Sequence, residues 1–163
     1  MKQMIAFDDA VDLLDMDHKM VKQMFIDYAA LCEEVAKPDR KRKLSLRICQ
    51  ALAVHSQLEE ELFYPAVREA VDDDVLMDEA LHEHAAAKQL IAMIEGMAAT
   101  APGYDANVRQ LGTLIDQHVS EEREQIFLKA RYAAIDLRGM VVPLLKRQQQ
   151  LKKVVTATAK EAA

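Results

Sequence analysis

The chain has 163 residues, the size of one ordinary domain, and 51% of them are apolar, which is enough to bury a substantial core. Its net charge of −6 argues against a nucleic-acid partner, and no apolar run reaches the roughly 18 residues needed to cross a bilayer. These properties exclude an intrinsically disordered chain and a membrane-spanning one. Since the first residues also lack the apolar core of a signal peptide, the sequence predicts a soluble, cytoplasmic protein.

The composition predicts an all-α fold. Only four glycines and four prolines occur, there is no tryptophan, and Ala, Leu, Glu, Lys and Gln are abundant. The two cysteines, Cys32 and Cys49, fall inside predicted helices without the close spacing of a metal site, so they are predicted to be reduced and structural. The basic cluster 37–43 is predicted to be a solvated loop.

The first two predicted helices meet near Pro38. The first is capped by Asp8 or Asp9 and ends near Ala36, before the proline. The second begins at Pro38, which suits the first turn of a helix, and continues to about Ala70. The inward stripe of the first helix is apolar except for one histidine and consists of Val11, Leu14, His18, Val21 and Phe25.

The second helix carries a histidine four residues before a glutamate, His55 and Glu59, and a kink is predicted at Pro65. Four residues of an α-helix turn about 400°, so the imidazole and the carboxylate project from one face, one turn apart. The other residues on that face are apolar: Ile48, Ala51, Leu52, Leu58 and Leu62. A charged carboxylate in an apolar stripe is costly unless it is paired or bound to a metal.

The third predicted helix follows the acidic run 72–74, whose charge suits a helix N-terminus, and extends to about Ala99. His84 lies on its apolar face. The segment 101–105 is the clearest turn in the chain, and Asp105 is predicted to cap the fourth helix.

The fourth helix repeats the histidine–glutamate spacing of the second. His118 precedes Glu122 by four residues, again on an apolar face, and the helix is predicted to end between Lys129 and Ala134. A single His-x-x-x-Glu is usually a solvated or salt-bridged pair, but two copies on matching apolar faces favour a buried binding site.

Four long helices joined by short loops predict an up-down-up-down antiparallel four-helix bundle. The chain 1–163 is predicted to be one domain, with the bundle over about 8–130 and an additional C-terminal helix over about 135–157. At about 1.5 Å per residue, the histidines of neighbouring helices lie at similar distances from the turns that join them. One layer of the bundle therefore collects His18, His55, Glu59, His84, His118 and Glu122.

This donor set predicts a centre of two metal ions. Four imidazoles and two carboxylates in one buried layer suit two borderline divalent ions with bridging carboxylates, and iron fits best. A single tetrahedral zinc ion would need only four ligands and would leave two buried carboxylates unexplained.

The chain is similar to the hemerythrin-like family, whose members are His-His-Glu cation-binding bundles, over roughly residues 8–130. The resemblance rests on the run 14–18 ending in His18, His55-x-x-x-Glu59-Glu60 with Phe63-Tyr64-Pro65 after it, Glu83-His84, and His118-x-x-x-Glu122 with Ile126-Phe127 after it. It implies that Glu59 and Glu122 bridge two irons. It also implies that His18 and His55 bind one iron and that His84 and His118 bind the other.

The sequence departs from the family members that carry oxygen reversibly. Those proteins have a second histidine one turn from the third-helix ligand, and an aspartate five residues after the fourth-helix histidine. Here Ala80 and Lys88 stand one turn either side of His84, and Glu122 follows at a spacing of four. One iron is therefore predicted to lack a histidine and to keep extra open positions, which argues against simple oxygen carriage.

Four further polar residues near these motifs receive weaker assignments. His82 completes one Glu-x-x-His motif, which ferritin-like bundles need twice, and it lies about 200° around the helix from the neighbouring ligand candidate, so it is predicted to be a surface residue. Glu121 is an alternative bridge, and Glu60 is predicted to be solvated. Gln125 is either a hydrogen-bonding neighbour of the site or an exposed amide.

The six-residue layer and the resemblance indicate a non-haem di-iron protein. Its expected ligand is a small oxidant, namely oxygen, nitric oxide or hydrogen peroxide, bound for sensing, storage or detoxification. Exchangeable positions on iron also allow a second hypothesis, catalase-like decomposition of peroxide, and the sequence does not decide whether the chain is an enzyme. A third is an interaction module with a structural metal. The amphipathic C-terminal helix is predicted to pack on the bundle or to join copies into a homo-oligomer.

Overall fold

The computed structural model describes residues 7–162, with side chains described as far as residue 155. The described residues form helices and connecting turns without a strand. Four helical rods make a closed ring of contacts, first with second, second with third, third with fourth and fourth with first. The all-α bundle with an additional C-terminal helix is therefore confirmed.

Helix α1 (Ala10–Glu33) is capped as predicted by Asp9, whose carboxylate accepts a hydrogen bond from the Asp12 amide at 2.9 Å. The helix ends before the predicted Ala36. Val35 has a φ of 51°, in the left-handed region, so the backbone turns away there and the helix cannot continue.

The second rod contains an unpredicted change of helix type. Helix α2 (Pro38–Leu58) passes into a π-helical segment, π1 (Glu59–Phe63), and then into α3 (Tyr64–Ala70). Pro65 has no backbone N–H with which to continue regular α-helical bonding. The rod widens just before this proline, where a kink was predicted.

The third and fourth rods are joined by the predicted turn. The third is α4 (Asp74–Glu95), and the fourth consists of α5 (Tyr104–Glu121), π2 (Glu122–Phe127) and α6 (Leu128–Tyr132). The prediction that Asp105 caps α5 is wrong, because the capping position is held by Gly103 with a φ of 88°, which glycine adopts without steric cost.

Asp105 instead lies in the first turn of α5 and ties it to the first two rods. Its carboxylate accepts hydrogen bonds from the Tyr28 hydroxyl at 2.6 Å and from the Lys41 ammonium at 2.8 Å. Lys41 thus pairs with another helix, although the basic cluster containing it was predicted to be a solvated loop.

The C-terminal helix α7 (Val141–Ala162) begins later than the predicted residue 135. Asp136 accepts a hydrogen bond from the Gly139 amide at 3.0 Å and closes a turn ahead of the helix. Pro143 then stands in the first helical turn, where its missing N–H is tolerated. Leu144 and Leu151 are buried against the bundle, so α7 packs on α1 and α2, one of the two predicted alternatives.

A buried polar layer separates two apolar clusters of the core. One cluster includes Leu14, Leu58, Met77 and Ile126, and the other includes Val21, Leu52, Ala87, Ile91 and Leu111. The four histidines singled out by the sequence lie between these clusters along their helices. No helix within the described part of the chain combines the length and the apolar character needed to cross a membrane.

Candidate metal centre

The four candidate histidines come from four helices and form two close pairs. The Nε2 atoms of His18 and His55 are 3.0 Å apart, and those of His84 and His118 are 3.3 Å apart. All four side chains are buried, with at most 7% of each residue exposed. We call the His18–His55 pair the first half of the centre and the His84–His118 pair the second half.

Glu59 and Glu122 connect the two halves. Oε1 of Glu59 lies 3.2 Å from Nε2 of both His55 and His84. Glu122 places Oε1 at 3.1 Å from Nε2 of His18 and Oε2 at 3.4 Å from Nε2 of His118. Each carboxylate therefore contacts one histidine of each half, which is the arrangement of a shared, bridging group.

The carboxylate oxygens lack ordinary partners. Both oxygens of Glu59 and Oε1 of Glu122 are buried and accept no hydrogen bond from the described residues. Burying a carboxylate in this condition costs several kcal/mol, and a cation would remove the cost. Each half supplies two histidine nitrogens and two carboxylate oxygens that lie within 4.8 Å of one another, so the residues fit two cations that share both glutamates.

The π-helical segments change which residues face the centre. Glu59 and Glu122 are the first residues of π1 and π2. On a regular α-helix the fifth following residue points about 140° away, whereas a π-helical turn returns it close to the same face. Tyr64 and Phe127, each five residues after a shared glutamate, are thereby brought next to the histidines.

Tyr64 was not predicted as a site residue, although it lies within the motif that follows Glu59. Its hydroxyl donates a short hydrogen bond to Oε2 of Glu122 and lies 3.3 Å from Nε2 of His84. Burial, followed by the charges of Glu59 and Glu122, holds the tyrosine pKa well above its usual range. The signal that could have identified this residue was its position directly before Pro65, where the helix cannot stay regular.

Phe127 occupies the corresponding place in the first half. Its ring stacks on His18 with centroids 5.6 Å apart and planes 13° apart. The Tyr64 ring stacks on His84 in the same way, with centroids 5.3 Å apart and planes 28° apart. Each half therefore has one histidine held against an aromatic ring, and the rings cover the layer on the side of the first apolar cluster.

The outward nitrogen of every histidine in the layer faces a carboxylate. The Nδ1 distances are 3.2 Å for His18 to Asp15, 2.9 Å for His55 to Asp17, 3.4 Å for His84 to Glu60 and 3.2 Å for His118 to Glu83. Such contacts favour a proton on Nδ1, so that Nε2 offers its lone pair to the interior, and they make the imidazole a better ligand.

Glu60 corrects one prediction, since it is not a freely solvated residue. One of its oxygens faces His84, and its carboxylate accepts hydrogen bonds from the Lys88 ammonium at 2.8 and 3.0 Å. Lys88, which stands one turn after His84, therefore holds this carboxylate in place.

The remaining candidates lie outside the layer. His82 is exposed, as predicted, and so is Gln125. Glu121 accepts a hydrogen bond from the Gln117 amide at 3.4 Å on the surface of α5, whereas Glu122 enters the layer. The structure thus favours Glu122 over Glu121 as the shared carboxylate of the fourth rod.

The histidines and glutamates of the layer also stabilise opposite charges on each other. Burial disfavours the imidazolium of His118, but Glu122 and Glu59 outweigh it and raise the pKa to about 9. Burial likewise opposes ionisation of Glu122, yet His118 and His18 hold its pKa well below the usual range. The pKa of His55 is raised for the same reason, despite burial, by Glu59 and Asp17. A cation would have to compete with protons for these nitrogens.

A family model for the hemerythrin HHE cation binding domain matches residues 9–130. The chain belongs to this family. Its matched region begins at the cap of α1 and ends in α6, so it contains all four rods and the complete polar layer. The additional helix α7 lies outside it.

Two individual proteins are similar to this HHE chain. A solved HHE cation binding domain-containing protein, the Rv2633c homolog from Mycobacterium kansasii, has a TM-score of 0.76 and covers 91% of this chain and 90% of its own. At 19% identity this likeness shows the fold alone. A DNA nickase from Nostoc sp. is 28% identical over 120 residues, which are 74% of this chain but 33% of that relative. The chain thus spans a third of the length of the curated relative.

Proposed function

We propose that this HHE domain binds two iron ions and uses them to bind a small oxidant, namely oxygen, nitric oxide or hydrogen peroxide, for sensing, storage or detoxification. The observation that carries the proposal is the pair of buried glutamates, each in contact with one histidine of both halves and together leaving three oxygens without a hydrogen-bond donor. The proposed ligands are His18, His55, Glu59, His84, His118 and Glu122.

The donor count leaves room for an exchangeable ligand. Six protein ligands, two of them bridging, supply about eight metal–ligand bonds, whereas two six-coordinate ions need about twelve. The Tyr64 hydroxyl is placed to supply one more oxygen or to hold a proton between Glu122 and His84. An iron pair bound here would supply the redox chemistry that imidazole and carboxylate groups lack.

The space beside the histidines supports a ligand of very small size. A small cavity of about 20 Å³ is lined by all four histidines and by apolar residues that include Leu52, Ala87 and Ile115. A volume of this order holds about one water-sized molecule. The apolar wall and the aromatic rings on the opposite side leave little space at the histidines, too little for a large organic substrate.

The test is metal analysis and optical titration of the full chain after iron-supplemented expression. We expect about two irons per chain and a visible charge-transfer band that changes with azide, nitric oxide or peroxide. Glu122→Gln should bring the iron content below one per chain, because a neutral amide bridges two cations poorly. Glu124→Gln, an exposed position in the same π-helical segment, is the matched control and should keep the wild-type iron content.

Other outcomes separate the alternatives. An iron content well below one in the wild-type chain, or a spectrum that ignores every small oxidant, would contradict the proposal. If iron binds and only stabilises the bundle, the interaction module with a structural metal is favoured. Sustained oxygen evolution from added peroxide would instead favour catalase-like turnover.

A further inference from the structure

A small cavity lies beside the four histidines, and two larger outer grooves border it. The cavity is the place where an exchangeable ligand would sit if the proposed function holds, so the inference below rests on that function. Each groove shares part of its wall with the cavity. The shared residues decide which groove leads to the centre.

The first groove follows the seam between α1 and α5 and has a volume of about 420 Å³. It shares His18, Ile115 and Val119 with the small cavity beside the histidines. His18 is therefore a wall of both spaces. Ile115 and Val119 stand one turn apart on α5 and form the apolar part of the partition.

The second groove lies between α1, α2 and the C-terminal helix and has a volume of about 310 Å³. It shares Asp17 and Val21 with the cavity but is not lined by a histidine of the layer. Asp17 is held in contact with Nδ1 of His55 and also accepts a hydrogen bond from Gln148 of α7 at 3.4 Å. The wall between this second groove and the cavity is therefore held by the polar contacts of Asp17, and α7 covers it.

We infer that small ligands reach the centre through the α1–α5 seam, passing between His18 and the Ile115–Val119 edge of α5, and that they exchange first at the first half. The partition there consists of one imidazole edge and two aliphatic side chains, whose rotamer changes take picoseconds to nanoseconds when they are not locked in a core. Both aliphatic residues are only half-buried. The ligands are molecules of a few atoms, such as nitric oxide, peroxide or the probe azide.

The test compares one substitution placed in the two grooves, Val119→Trp in the α1–α5 seam and Val155→Trp in the groove under α7. Stopped-flow mixing of the iron-loaded full chain with azide gives the association and dissociation rate constants. Val119→Trp should lower both by about tenfold and leave Kd unchanged, because a blocked passage slows arrival and departure equally. Val155→Trp should stay within about twofold of the wild-type rates.

Val119→Ala guards against a tryptophan variant that fails to fold or to load iron. It should raise both rate constants by about threefold, since it widens the same partition. Unchanged azide rate constants in both Val119 variants would overturn the inference, and so would an equal or larger slowing in Val155→Trp. In either case, azide binding by the wild-type chain would leave the proposed function intact. A wild-type chain that loads iron but never binds azide or nitric oxide overturns both.

Discussion

The two halves of the centre use the same donors but differ at one equivalent position. Five residues after each shared glutamate stands an aromatic ring, Phe127 stacked on His18 and Tyr64 stacked on His84. At this position only the second half has a hydroxyl group, which belongs to Tyr64 and contacts His84 and Glu122. In the first half, His18 forms part of the wall of an outer groove between α1 and α5. If the proposed ligand route holds, ligands reach the first half before the second, and the hydroxyl of Tyr64 can hold a proton only in the second half.

The carboxylates behind the histidines differ between the halves as well. In the first half both come from α1, where Asp15 contacts His18 of its own helix and Asp17 reaches His55 of the next. In the second half they come from two rods, since Glu60 of the second rod reaches His84 and Glu83 of α4 reaches His118. Three of the four carboxylates therefore contact a histidine of another rod, so the spacing of the helices affects how well each half is organised.

The largest expected effect comes from removing a residue that both halves share. Glu59→Gln should reduce iron binding in both halves by at least about tenfold each, because it replaces the charge that offsets two cations. Metal analysis after gel filtration measures the loss. Glu61→Gln, two residues further along π1, changes a carboxylate that contacts Arg147 and Gln57 rather than the histidines, and it should retain the iron. Full occupancy in Glu59→Gln would show that Glu59 is not a bridge.

A substitution in one half should remove one iron. His84→Ala deletes a nitrogen of the second half and is expected to leave about one iron per chain, in the first half. His82→Ala changes an exposed histidine two residues away and should keep both irons. Equal loss of iron in the two variants would contradict the assignment of His84 to the interior of the bundle and His82 to its surface.

The metal-free full chain should lose stability as the pH rises. His55 in the first half and His118 in the second have raised pKa values in the folded chain, about 9 for His118. Stability from a raised pKa is fully present below the unfolded value of about 6.5 and is lost as the pH passes through the folded value. We expect His118 to account for up to about 3 kcal/mol of the free energy of unfolding lost over this interval.

Urea unfolding between pH 6.5 and 9.5, with and without iron, checks this expectation. The iron-loaded chain should not show the same decline, because metal-bound histidines are already deprotonated. A metal-free chain with equal stability at both pH values would mean that the shared glutamates do not hold the histidines protonated.

The smallest effect concerns the hydroxyl that distinguishes the halves. Tyr64→Phe should make the second half resemble the first and lower the affinity for its iron by about tenfold, with the ring packing retained. Chelator competition, which resolves two affinities, measures the change. Phe127→Tyr is the reciprocal variant and should leave the second-half affinity unaltered. An unchanged affinity for the second iron in Tyr64→Phe would show that Tyr64 contributes only packing.

The sequence by itself determined the four rods and the six-residue layer. The spacing of His55 to Glu59 and of His118 to Glu122 matches one α-helical turn, so each pair shares a face whatever the rest of the chain does. The number of residues between each histidine and the nearest turn then predicted that His18 and His84 lie at the same level of the bundle as these pairs. The exposed position of His82 followed from the same helical rotation.

Only the tertiary structure decided which additional residues complete the site. The π-helical segments place Tyr64 and Phe127 beside the histidines, and an α-helical projection points them elsewhere. Glu60 reaches His84 because two rods lie at a particular separation and rotation, which no local spacing encodes. The groove beside His18 likewise depends on how α1 and α5 are set against each other. Contacts within a helical turn are fixed by backbone geometry, whereas contacts between rods depend on how the whole core packs.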